Sequence, residues 1–146
     1  MQRFLLYFWR MATIETSYLG ELRTEATHLK SGIRIITDAP TDNEGKGEAF
    51  SPTDLLAASL GSCMMTLMGI RSRKKGIHFS ECRMDITKIM AANPRRVSEI
   101  HIVIDLSGQH FTDEEKSELE DAALNCPVAL SIHPNIRQQV EFKYAN

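Results

Sequence analysis

Three cysteines, Cys63, Cys82 and Cys126, are the side chains of this sequence best suited to covalent chemistry. They are too few and too widely spaced for a secreted disulfide framework, and no CxxC pair offers zinc its usual ligand spacing. Reduced thiols in a reducing compartment are therefore expected, with nucleophilic or redox chemistry open to them. The thiolate is the reactive form, so what matters is which surroundings lower each pKa. Cys126 precedes Pro127 and the apolar run VALSI. It reads as the cap of a short helix, where backbone N–H groups favour negative charge and make it the more acidic thiol. Cys63 lies among Leu60, Met64 and Leu67, far from any helix N-terminus. Local chemistry leaves two readings of Cys63: a small core residue, or a thiol made reactive by a cation or polar network brought from elsewhere.

The element that must position Cys63 is the stretch Ser51–Gly76. Ser51 suits an N-cap, Pro52 the first helical position and Asp54 the acid of a capping box. No residue from Leu55 to Ile70 is charged, and Arg71, Arg73, Lys74 and Lys75 then precede Gly76. Cations in the last turn followed by glycine mark a helix end, so one long helix is expected. It is apolar on nearly every side, and such a helix must be wrapped by other structure.

Around it the chain reads as strands, helix, strands, helices, strand. Residues 13–30 suggest strand–turn–strand about Gly20, and Ile33–Thr37 a further strand. The polar loop Asp38–Pro52 is a candidate for lining a substrate entrance. Ile77–Met90 alternates, with Cys82, Met84 and Ile86 on the core side, which makes Cys82 a core strand residue. In Val97–Leu106 the residues Ile100, Ile102, Ile104 and Leu106 share a face, with His101 on the other, and the pair reads as an antiparallel hairpin. Thr112 caps a helix running to Asn125, and Ile136–Tyr144 closes the chain as an alternating strand. The expected fold class is α+β, helices packed on antiparallel sheet.

The chain has 146 residues, 42% hydrophobic and 25% charged, with a formal charge of −2. That balance suits one soluble domain and argues against nucleic acid or anionic membrane as the main partner. The apolar run Phe4–Trp9 is too short to span a bilayer. Residues 1–12 read as an extension that docks on a partner or as a start placed upstream of Met11, and 13–146 as the domain. A cytoplasmic protein is expected.

Two segments carry a family resemblance. FSPTDLLAASLGSCMMT, residues 50–66, resembles the first cysteine motif of the osmotically inducible protein C / organic hydroperoxide resistance (OsmC/Ohr) family, and NCPVALSIHP, residues 125–134, its second. TDAPTDNEGKGEAFSPTDLL is most similar to the YhfA-like branch. The resemblance implies an intertwined homodimer with each long helix buried between sheets of both chains. It also implies a thiol peroxidase for organic hydroperoxides without a cofactor. Cys63 would attack the peroxide, Cys126 would resolve the sulfenic acid as a disulfide, and a dithiol reductant would restore both. That reductant would be a lipoyl protein, thioredoxin or a small thiol.

The family's peroxidases place a glutamate ten residues before the first cysteine to orient an activating arginine; here that position holds Thr53. Asp54, nine residues before Cys63, falls on the opposite side of an ideal helix at about 100° per residue. Neither Arg23 nor Arg34 lies in a motif that matches the activating arginine. The alternative is thus a protein of this family without peroxidase activity, binding a small apolar or thiol-reactive ligand at the dimer interface. A third reading, a metal site of Cys63, Cys126 and His133, has no spacing signal behind it.

Overall fold

The structure is a computed structural model and describes residues 12–145, which divide into two compact units, one reaching to Pro52 and the other starting at Thr53. The readings made for residues 1–11 lie outside the described residues.

In the first unit, β1 (Ile14–Gly20), β2 (Arg23–His28) and β3 (Arg34–Asp38) form an antiparallel sheet in that order. The β1–β2 turn runs through three left-handed residues, Gly20, Glu21 and Leu22, and Gly20 is the one that adopts this conformation without strain. The sheet is stapled to the following loop by charge. Arg23 grips the buried Asp38 through Nε at 2.7 Å and Nη2 at 2.8 Å, and its Nη2 also reaches Glu48 at 2.7 Å. The Glu48 amide donates to the same Asp38 carboxylate at 3.0 Å, so the Asp38–Pro52 loop is tied back at its far end. Arg23, first among the causes, holds the Asp38 carboxyl below the ordinary carboxylate range. One face of this sheet leaves Ile14, Tyr18, Ile33 and Ile35 exposed.

The second unit is built on α1 (Pro52–Lys75), whose limits are those the end signals dictate. Gly76 is left-handed, with φ +70°, and the Ile77 amide donates to the Ser72 carbonyl at 2.9 Å, which is the bond that closes a glycine-terminated helix. Leu60, Met64 and Met68, one turn apart, are fully buried. With Ile100, Ile102, Ile104 and Leu106 of β5 (Arg96–Leu106) they make the core, each large side chain contributing about 1.5–3 kcal/mol. Gly61 lets the helix lie against β4 (Arg83–Ala91), since a β-carbon there would collide with Ile86 and Met84. By length and composition alone α1 could cross a membrane. One face of it packs on this sheet.

After β5 come α2 (Asp113–Leu124), α3 (Pro127–Ser131) and β6 (Arg137–Tyr144). Helix α2 carries the expected capping box: Glu115 N–H donates to Thr112 Oγ1, and the Thr112 amide donates to the Glu115 carboxylate. The α+β class is borne out. Two details differ from expectation. In the sheet β4–β5–β6 the β4–β5 pair is antiparallel, but β5–β6 is parallel, because the chain crosses back through α2 and α3 before entering β6. And β4 begins at Arg83 rather than Ile77. The preceding segment is held by Gln109, whose Oε1 accepts from Ser80 N–H at 2.7 Å and whose Nε2 donates to the Glu81 carbonyl at 3.4 Å. Cys82 therefore sits half-buried against the core just before the strand, its thiol pushed up by burial and by Asp105.

Candidate active site

The second unit brings Cys63 and Cys126 together. Cys63 is half-buried on α1, over the core; Cys126 is fully buried at the cap of α3, and the Cys63 sulfur is near enough to influence its titration. Both are free. The Cys126 sulfur accepts from the Ala129 amide at 3.5 Å, as a capping side chain does. Pro127 fixes the first turn, and Gln138 of β6 donates to the Ala129 carbonyl at 2.9 Å, tying α3 to the sheet.

The electrostatics correct the expectation for Cys126. Burial, the largest effect, pushes its thiol up, and the neighbouring Cys63 sulfur adds to that; the Ala129 and Val128 amides pull the other way and lose. A five-residue helix offers little dipole, while the thiol is wholly removed from water. Cys126 is not an acidic thiol but one that keeps its proton at neutral pH.

Thr53, at the first turn of α1, is occupied. Lys88 Nζ donates to Thr53 Oγ1 at 2.7 Å and pairs with Asp54 Oδ1 at 2.7 Å, with the lysine side chain 18% exposed. Sequence reasoning missed Lys88, although its signal was present: it shares the inward phase of β4 with Met84, Ile86 and Met90. Ten residues of helix place Thr53 about 15 Å along the axis from Cys63 of its own chain, so this cation does not touch that sulfur. Arg23 is committed to Asp38 and Glu48 within the first unit, and Arg34 is exposed beside Glu25 at 3.4 Å. Among the described residues Cys63, Cys126 and His133 do not form a metal-binding group. His133 instead lines a cavity of about 450 Å³ with Thr53, Leu56, Arg96, Val97 and their neighbours.

The OsmC-like protein family model matches residues 45–141, which include both cysteines. No curated protein matches the sequence. A solved structure from Psychrobacter arcticus 273-4, named provisionally as an osmotic stress induced and detoxification response protein, is 53% identical, with TM-score 0.87 over 91% of this chain and 96% of that one. An organic hydroperoxide resistance protein OsmC from Legionella pneumophila shares the fold at 16% identity and TM-score 0.69, over 91% and 98% of the two chains. The organic hydroperoxide resistance protein OhrB of Bacillus subtilis does so at 16% identity and TM-score 0.64, over 91% and 99%. With most of its length matched by one family model and its fold shared with these proteins, the chain belongs to the OsmC-like protein family.

Proposed function

We propose that this protein is a thiol-dependent peroxidase acting on organic hydroperoxides, with Cys63 as the attacking thiol and Cys126 as the resolving one. The observation that carries the reading is the nearness of two free thiols from distant parts of the chain, on one core cluster, one half-buried and one buried. Family membership, and the hydroperoxide resistance named for the Legionella and Bacillus proteins, support the substrate class.

The Cys63 thiolate attacks one peroxide oxygen: an S–O bond forms, the O–O bond breaks, and the alcohol leaves with a proton. Cys126 then attacks the sulfenic sulfur; the S–S bond forms, and the departing hydroxyl takes the Cys126 proton as water. A dithiol returns both sulfurs to thiols by exchange. The retained proton on Cys126 has a use in this order of events. Burial above all, and the Cys63 sulfur beside it, hold that proton on Cys126, and the departing hydroxyl carries it away.

The working form in this reading is a homodimer. Only 28% of the most apolar stretch of α1 is buried, and Ser59, Ser62, Thr66 and Ile70 form an exposed stripe along it. The hydroxyls of Ser59 and Thr66 donate to their own helix at Leu56 and Ser62, at 2.7 and 2.8 Å, so the stripe asks little of water. A second copy covering it completes the wrapping that an apolar helix requires. Its free thiols suit the reducing cytoplasm.

One equivalent of cumene hydroperoxide should convert the reduced protein to a form with a mapped 63–126 disulfide, and Cys63→Ser should abolish turnover. Protein that stays fully reduced would sink the proposal. It would leave the ligand-binding alternative, which the Lys88-held Thr53 at the family's glutamate position favours.

A further inference from the structure

A built cavity lies apart from the thiol pair. Its floor is Leu56, Val97 and Ile136, half-buried or buried, and its rim is Arg96, His133 and Asn135, all exposed. At about 450 Å³ it has the size usual for small-molecule sites. Neither cysteine lines it; Leu56 is seven residues from Cys63, about 10 Å along α1.

The rim offers donors with few acceptors to satisfy. Arg96 donates from Nη1 to the Val97 carbonyl at 3.1 Å and pairs with no carboxylate among the described residues. The Asn135 backbone N–H donates to His133 Nδ1 at 3.1 Å, which in the neutral imidazole leaves the proton on Nε2 and makes that atom a donor. No carboxylate is among the cavity's lining residues, and Asp54, next to Thr53 in the chain, pairs with Lys88 at 2.7 Å. A guanidinium and an imidazole N–H among the same lining residues as Leu56, Val97 and Ile136 suit an acceptor-only, singly charged head on a hydrocarbon tail.

We propose that this cavity binds an aliphatic monocarboxylate, its head on Arg96 and His133 and its tail on Leu56, Val97 and Ile136. Thr53, at the family's glutamate position, also lines the cavity, but the assignment stands whether or not the thiols turn over. Titration of the reduced full chain with octanoate, followed calorimetrically, should show saturable binding, with octanol at least tenfold weaker because it lacks the charge that the fork reads. Arg96→Gln should weaken octanoate at least tenfold while leaving octanol unchanged. Octanol binding as tightly as octanoate, an Arg96→Gln protein that binds octanoate as well as the parent, or no saturation at millimolar octanoate would each overturn the assignment. The octanoate–octanol comparison on the parent protein decides the matter even if the variant fails to fold.

Discussion

Cys126 shows how two opposing influences resolve at one atom. Capping a helix favours its thiolate, and complete burial beside a second sulfur opposes it; burial prevails. If Cys63 contributes to that upward push, Cys63→Ala should move the Cys126 titration to lower pH. The test is thiolate ultraviolet absorbance in a Cys82→Ser background, and an unchanged or higher midpoint would show that burial alone sets it. Lys88 makes the complementary point. It stands in an apolar phase of β4, yet its charge is met by the Thr53 hydroxyl and the Asp54 carboxylate, so a cation inside the sheet face costs little.

At the scale of elements, close approach and charge hold α1 in place. Gly61→Val should lower stability by about 1–3 kcal/mol, measured by urea unfolding, because the added methyls must displace Ile86 and Met84 from the helix surface. The far end of α1 is tied to α2, with Glu118 pairing with Lys75 at 2.9 Å and with Arg71. Lys75, then Arg71, hold the Glu118 carboxyl below its ordinary value. A depressed carboxylate stabilises the fold above the unfolded-state value, and that contribution is lost as pH falls through the folded value. Glu118→Gln should therefore be less stable than the parent at neutral pH, with the gap closing on acidification; thermal melts across that range would show it. Much of this level was legible in the sequence. Pro52, Gly76 and the Thr112–Glu115 pair set helix ends through local bonds, and the period of Ile100–Leu106 set which face is buried. The parallel entry of β6 was not legible, since alternation gives a strand its faces but not its direction. Nor was the meeting of Lys88 with Thr53, which depends on how helix and strand pack. Cys126 was misjudged because a cap is written locally and burial is not.

For the whole molecule the unspent surface of α1 is decisive. Ile70 is 41% exposed on a stripe with no charge, so if the proposed second copy covers it, Ile70→Glu should shift the protein towards monomer in sedimentation velocity while its circular dichroism stays native. An unchanged sedimentation coefficient would show that no second copy covers this stripe.

The nearness of the two sulfurs also bears on what could reverse the proposed oxidation. A bond between them would close a loop holding β4, β5 and α2, and reduction would have to proceed through a mixed disulfide with an outside thiol. The freed cysteine would remain next to that mixed disulfide, at the high effective concentration the fold imposes, and would expel a single thiol before a second molecule arrived. A reductant carrying its own second thiol closes a ring and leaves before that recapture. If the proposed disulfide forms, the same proximity would favour a dithiol for the return step.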